Sequence, residues 1–315
     1  MVYLLVLGII AASTVKGYSG KRLSCFIRCS ADSYIFNFIR MIFCILIGFA
    51  WVLIEKSGEY LLPEGRMIAI CVLAGISNSA FLVCWMLAVR VNSMAAVDVG
   101  LTLGSLIPSL LCYLLFGEKF SILKMIGFLI ILFATYILSS GKKNDKKQHY
   151  AGIILLVLAS VGEGMNGFSQ QLYKQYYTNP ESDVYYPKTI FHLYTYIFAG
   201  LSIFAFLSVY MLLERRKKSP GKENASEMPL KNIVTLRSVI HVFVMAVCLF
   251  ISNYMQTVAT SDYGMSSQLM YPILRAGCLV TVSIVAMAFF GEKITRRSIF
   301  GSLVAIVGIV AMSVL

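Results

Sequence analysis

The sequence predicts an all-α integral membrane protein whose ten transmembrane helices form two inverted five-helix repeats. Three observations lead to this fold class: an excess of apolar residues, ten long apolar segments, and a motif that recurs in both halves of the chain. Of the 315 residues, 58% are hydrophobic and only 13% are charged, where about 25% is usual in soluble domains. Too few polar residues remain to cover a soluble globule. The composition therefore excludes a soluble enzyme, a secreted disulfide scaffold and a disordered chain.

Long apolar segments make up most of the chain. A helix needs roughly 20 apolar residues to cross about 30 Å of hydrocarbon. The strands of a β-barrel alternate polar and apolar residues, and the stretch Ile126–Leu138 does not alternate. We therefore predict ten spanning helices, at residues 2–20, 34–54, 67–89, 94–116, 122–139, 150–173, 189–212, 234–259, 264–290 and 297–314.

A repeated motif divides the chain into two halves. FGEKFSILKMIG at residues 116–127 recurs as FGEKITRRSIFG at residues 290–301. We predict a first repeat at residues 1–140, a basic linker at 141–149 and a second repeat at 150–315. Because each repeat has five helices, an odd number, the second repeat must enter the membrane from the opposite side. Inverted repeats favour transport by alternating access, whereas a plain duplication would give only a membrane scaffold.

The net charge of +12 is interpreted as an orientation signal. Basic loops hold membrane proteins against anionic lipid headgroups, which explains this charge better than a nucleic-acid partner does. The loops after odd-numbered segments hold 17 Lys and Arg residues, and those after even-numbered segments hold 6. The positive-inside rule then places both termini outside the cell. The chain has neither a Cys/His spacing typical of metal sites nor a nucleotide-binding motif, so we expect no metal and no cofactor.

Gly-Glu pairs end the fourth and ninth segments, at Gly117-Glu118 and Gly291-Glu292, and Arg40 lies early in the second segment. With these motifs and its five-plus-five organisation, the chain resembles the drug/metabolite transporter superfamily, specifically its EamA-domain family. The resemblance implies a multi-pass carrier of metabolites or drugs in the plasma membrane, here a bacterial inner membrane, with both termini inside. Helices one to four and six to nine would line a central cavity, and helices five and ten would lie at the periphery or in a homodimer contact. The Trp-Gly pair that is usual in the family's first helix is absent.

Ionisable side chains at membrane depth are the main candidates for the site, because each needs a partner or water there. Glu163 lies near the middle of the sixth segment, and Asn166 and Gln170 follow it on the same helical face, which we expect to line a cavity. Glu163 could take up a proton, as a first-helix Glu does in the related small multidrug-resistance proteins. It could equally form a structural ion pair with Lys16 or Arg40.

Asp98 and Arg275 lie in the fourth and ninth segments, which correspond to each other in the two repeats. A closed Asp98–Arg275 pair is favoured over an Arg275 that holds a substrate carboxylate or phosphate. His192 is interpreted as a core histidine with satisfied hydrogen bonds, with a proton relay as the alternative. The remaining candidates for substrate binding are polar or aromatic residues of the third and ninth segments: Asn78, Trp85, Gln268 and Tyr271.

These observations predict a secondary transporter that moves a small metabolite or drug-like solute by alternating access, with proton coupling through Glu163 as an additional hypothesis. The expected partners are a small-molecule substrate and the lipid bilayer, with a homodimer left open and no nucleic acid. One alternative is a non-transporting structural or accessory membrane subunit. Another is a membrane enzyme that acts on lipid, but the sequence lacks the clustered acid/base or metal ligands such an enzyme needs. We therefore predict no catalytic activity.

Overall fold

The computed structural model describes residues 2–117 except 28 and 93, residues 146–178, 185–217, 235–291 except 266, and 296–313, and scattered residues between 125 and 137. All regular secondary structure in these ranges is helical, which confirms the predicted all-α class. Two short 3₁₀ helices occur, at Gly58–Tyr60 and Leu103–Ser105. The α-helices of the described ranges are α1 Val2–Ser24, α2 Ser30–Glu55, α3 Gly65–Val91, α4 Met94–Thr102, α5 Leu106–Phe116, α6 Lys146–Tyr177, α7 Lys188–Lys217, α8 Leu236–Ser261, α9 Ser267–Phe290 and α10 Arg296–Ser313.

Eight stretches of the described helices are long and apolar enough to cross a membrane. They coincide with eight of the ten predicted segments, so the chain is a multi-pass membrane protein. The predicted segment 297–314 corresponds to α10, whose apolar stretch Ile299–Gly308 is shorter than a full span. Apart from the scattered helical residues between 125 and 137, the predicted segment 122–139 lies outside the described residues, and so does most of the predicted linker 141–149. The last four linker residues, 146–149, form the first turn of α6.

Large apolar side chains cover the outer faces of these helices. A soluble monomer rarely exposes so much contiguous apolar surface, whereas hydrocarbon tails solvate it without penalty. Examples on five different helices, with their exposed fractions, are Leu4 (69%), Leu46 (59%), Leu201 (58%), Ile240 (53%) and Leu303 (56%).

The predicted fourth helix, residues 94–116, is broken into α4 and α5 by the 3₁₀ turn Leu103–Ser105. Pro108 explains the break, because proline has no N–H group to donate to the carbonyl of Gly104. The tighter 3₁₀ turn carries the chain from one α-helix into the next. The turn interrupts the regular α-helix, but Val97–Phe116 as a whole is still long and apolar enough to be one span.

Close packing joins α4 and the 3₁₀ turn to α6. A Cβ atom on Gly104 would lie 2.3 Å from the carbonyl oxygen of Ser160, and a Cβ atom on Gly164 would lie 2.4 Å from the carbonyl oxygen of Gly104. The Ser160 hydroxyl also donates to the Gly100 carbonyl at 2.7 Å. Only glycine fits at this contact, which is typical of small residues at helix interfaces in membranes.

The two halves of the chain pack against each other extensively. Helix α3 packs along α6, and α8 packs along α1; α2 contacts α7, and α4 contacts α9. Gly117 ends α5 and Gly291 follows α9, with φ of +66° and +59°. This left-handed conformation favours glycine and lets the chain turn sharply at the end of each helix. Glu118 and Glu292 lie outside the described residues.

The two ends of the bundle differ in their side chains. We call the end at which α2, α6 and α8 finish the tyrosine end; its tyrosines include Tyr60, Tyr177, Tyr186 and Tyr254. We call the opposite end, at which α1, α3, α7 and α9 finish, the basic end; Lys21, Arg22 and Arg90 lie there.

Candidate functional site

A polar cavity lies where α1, α3, α4, α6, α8 and α9 meet. It contains about 940 Å³ of space not filled by protein atoms, including the part that is open to solvent. At one side it reaches the turn between α3 and α4, where Val89 and Met94 line it. Its lining brings together nine residues that the sequence singled out: Lys16, Asn78, Trp85, Asp98, Glu163, Asn166, Gln170, Tyr271 and Arg275.

An ion pair crosses this cavity from α6 to α9. An Nη2 of Arg275 contacts Oε1 of Glu163, and the two side chains keep 16% and 23% of their surface exposed. The expected Asp98–Arg275 pair was therefore wrong, and so were Lys16 and Arg40 as partners of Glu163. Arg275 lies in the half of α9 nearer the tyrosine end, whereas Asp98 lies in the first turns of α4 at the basic end. Glu163, near the middle of α6, is closer to Arg275 in depth.

Several polar atoms of the cavity have no hydrogen-bond partner among the described residues. They are Oδ2 of Asp98, Oε2 of Glu163 and both amide atoms of Asn78. Asp98 still interacts electrostatically with Arg275 and Lys16. The ammonium group of Lys16 lies 5.7 Å from the centre of the Phe81 ring. Buried polar atoms are usually satisfied in folded proteins, so this concentration of unpaired atoms indicates a place for a ligand or water.

The polar face of α6 borders the cavity as its spacing suggested. Asn166 and Gln170 are both buried within the bundle and both belong to the lining. The Tyr271 hydroxyl lies 3.2 Å from Oε1 of Gln170 and donates to it. This hydrogen bond links α6 to α9 about two turns from Glu163 along α6 and one turn from Arg275 along α9.

Two candidates lie outside the lining, and the side chain of a third is not among those described. Arg40 is completely buried; it donates to Oδ1 of Asn37, its Cζ lies 5.9 Å from the centre of the Trp85 ring, and its Nη1 has no partner among the described residues. His192 is buried and hydrogen-bonds Thr257 at 3.0 Å, which agrees with a satisfied core histidine. Gln268 belongs to the first turn of α9, and its side chain lies outside the described residues.

Other lining residues were not singled out from the sequence, among them Ser13, Phe81 and Cys278. Helical spacing could have found them. Ser13 and Cys278 each lie three residues from a charged candidate, and Phe81 lies three residues after Asn78 and four before Trp85. Residues at these spacings share one face of a helix.

At the tyrosine end, helices are joined by a set of hydrogen bonds that we call the Glu55 network, formed by Trp51, Glu55, Thr189 and Tyr254. The Glu55 carboxylate accepts from Trp51 Nε1 at 2.8 Å, from the Tyr254 hydroxyl at 2.9 Å and from the Thr189 hydroxyl. It thereby ties α2 to α7 and α8. An ion pair of 2.8 Å between Lys188 and Asp262 lies at the same end.

Within the described ranges, no group of three or more His, Cys, Asp and Glu side chains is arranged to hold a metal ion. The chemistry that these side chains offer is hydrogen bonding and charge pairing inside a membrane-embedded cavity.

Comparisons with known proteins bear on the family and on the fold. The model of the EamA-like transporter family matches residues 2–140. A solved structure titled "Crystal structure of protein" has a similar fold, with a TM-score of 0.62 over 99% of this chain and 96% of that chain. The two sequences are 11% identical, so this likeness concerns the fold alone. No curated protein matches the chain.

Proposed function

Because residues 2–140 match the EamA-like transporter family, a branch of the drug/metabolite transporter superfamily, we propose that the chain is a secondary transporter. It moves a small metabolite or drug-like solute by alternating access. The observation that carries this proposal is the cavity, in which unpaired polar atoms of α3, α4 and α6 face one space at membrane depth. Polar groups at that depth are costly unless they serve a solute or water.

The proposed architecture is a pair of inverted repeats, at residues 1–140 and 150–315, joined by the linker 141–149. The helix contacts support it, because the α3–α6 contact has its counterpart in the α8–α1 contact, while α2 meets its own counterpart α7. The left-handed glycines Gly117 and Gly291 occupy equivalent positions. The family match ends at residue 140, where the first repeat would end. Each repeat would then supply one wall of the cavity, and rocking of the walls would expose it to each side in turn.

The difference between the two ends of the bundle also supports alternating access. The cavity reaches the α3–α4 turn at the basic end, while the Glu55 network and the Lys188–Asp262 pair join helices at the tyrosine end. In the proposed cycle, these tyrosine-end contacts separate when the cavity opens to that side. Hydrogen bonds of exposed groups are individually weak, so they can break and re-form during a transport cycle.

Proton coupling would act at Glu163. A charged carboxylate is expensive at membrane depth, and here the guanidinium of Arg275 offsets that cost. Protonation of Glu163 would remove the charge that holds Arg275 and so change the cavity. The proposed location is a bacterial plasma membrane. A C-terminal reporter fusion would decide the orientation: alkaline-phosphatase activity without fluorescence means that the terminus is outside, as the loop charges suggest.

Transport is tested on purified protein. A thermal-shift screen of metabolite classes identifies a ligand, because binding to the folded state raises the melting temperature. Liposomes that contain the protein and are preloaded with this compound should then accumulate the labelled compound by counterflow. Protein-free liposomes are the control. Absence of counterflow for every compound that shifts the melting temperature would favour a non-transporting membrane subunit instead.

A further inference from the structure

We propose that Arg275 exchanges between two carboxylates during the transport cycle: it pairs with Glu163 in the described conformation and with Asp98 after Glu163 takes up a proton. The inference rests on the proposed function, since it gives the transport cycle its charge switch. It assigns a role to Asp98, whose Oδ2, like Oε2 of Glu163, has no hydrogen-bond partner among the described residues.

The helix arrangement makes both partners available to the same guanidinium. Helix α9, which carries Arg275, packs against α4, which carries Asp98, and α6 with Glu163 packs against α4 and α5. All three side chains line one cavity, and Asp98 and Arg275 interact electrostatically across it. The long arginine side chain can shift its head group while its stem stays packed.

With its four charged side chains all ionised, the cavity carries no net charge: Lys16 of α1 and Arg275 of α9 are then balanced by Asp98 of α4 and Glu163 of α6, and the lining residues Tyr271 and Cys278 add no charge in their neutral forms. A proton on Glu163 leaves two cations and one anion. Arg275 cannot relieve this imbalance by losing its own proton, because a guanidinium stays charged in proteins. An unpaired charge in a low-dielectric cavity is strongly destabilising, and Asp98 is the other carboxylate of the lining that can accept the guanidinium.

The exchange links proton uptake by Glu163 to a change in which helices are joined by the Arg275 ion pair. Asp98 lies near the basic end of α4, whereas Glu163 lies near the middle of α6. Movement of the guanidinium from Glu163 to Asp98 therefore releases α6 from α9 in the middle of the bundle and ties α9 to α4 near the basic end. That change of ties is the kind of two-state contact that can shift a bundle between two conformations.

The competing interpretation is a fixed ion pair, in which Glu163 pins Arg275 and Asp98 takes no part. A double-mutant cycle without any solute separates the two. The melting temperature of the full-length protein in nanodiscs is measured for wild type, Glu163→Gln, Asp98→Asn and the double variant. If Arg275 exchanges, each single variant should lower the melting temperature only slightly, because one carboxylate remains to pair with Arg275. The double variant should lower the melting temperature by at least twice the sum of the two single decreases. Losses that simply add overturn the proposal.

A second measurement applies even when the double variant fails to fold. Glu163→Gln mimics the protonated carboxyl group, so an experimental structure of this variant should show the Arg275 guanidinium within about 4 Å of Asp98, the range of an ion pair. An Arg275 guanidinium that stays beside the substituted amide side chain contradicts the exchange. Both tests need no solute. If Arg275 exchanges but no compound shows counterflow, only the proposed transport is refuted. If counterflow occurs but the decreases in melting temperature are additive, only the exchange is refuted.

Discussion

The tyrosine end and the central cavity hold polar side chains in opposite ways. At the tyrosine end, one carboxylate, Glu55, accepts from three donors on three helices, and Lys188 pairs with Asp262. In the cavity, Asn78 and one oxygen of Asp98 have no hydrogen-bond partner within the described part of the chain. Paired polar groups hold helices together, whereas unpaired ones can form hydrogen bonds with a ligand or water. The difference separates what stabilises the bundle from what we propose handles the solute.

The largest loss of stability is expected at the α4–α6 contact, where the cavity wall is held by close packing and not by polar pairs. In Gly164→Ala, the new Cβ atom would lie 2.4 Å from the backbone oxygen of Gly104, which cannot move aside as a side chain can. We expect a loss of about 2–3 kcal/mol in the free energy of unfolding, measured by denaturant unfolding in detergent. The matched control is Gly65→Ala, where a Cβ atom meets nothing within 4 Å. Equal losses in the two variants would mean that the α4–α6 contact does not hold the wall.

A smaller effect is expected at the tyrosine end. Glu55→Ala removes the acceptor of Trp51, Thr189 and Tyr254. Because the carboxylate is exposed, we expect a loss of only about 1–2 kcal/mol in the free energy of unfolding, measured in the same assay. Glu59→Ala, which removes another exposed carboxylate of this end, is the control and should change little. If both variants lose the same amount, the hydrogen bonds of Glu55 contribute nothing.

The smallest effect on stability, but a large one on transport, is expected in the cavity. Asn78→Leu removes two unpaired buried amide atoms, so the free energy of unfolding should change by less than about 1 kcal/mol. Counterflow should fall about tenfold or more, as expected for the loss of one good hydrogen bond to the solute. Thr195→Val is the control, because its hydroxyl is also buried without a partner among the described residues but does not line the cavity. A stable Asn78→Leu variant with full counterflow would remove Asn78 from the site.

The sequence predicted the positions of the helices well, because a run of about 20 apolar residues is typical of a membrane-spanning helix and rare in other structures. It also indicated the polar face of α6, since Glu163, Asn166 and Gln170 recur at helical spacing. The ion-pair partner of Arg275 could not be predicted from residue spacing. Pairing depends on the depth and rotation of each helix, which the pattern of one chain does not give. The break at Leu103–Ser105 was signalled by Pro108, but a proline in an apolar run also fits an unbroken, kinked helix.

The burial of Arg40 bears on the order in which the helices insert and assemble. Its guanidinium is buried in α2 and rests against the ring of Trp85, a residue that is synthesised 45 positions later. At about 5–20 residues per second, the ribosome needs roughly 2–9 s to supply that ring. During this interval, Asn37 of the same helix is the partner already available to Arg40, which reduces the cost of about 3 kcal/mol for an unpaired cation at the centre of the bilayer. The apolar remainder of α2 must hold the helix in place until α3 arrives, so insertion of the first two spanning helices and assembly of the cavity wall are separate events in time.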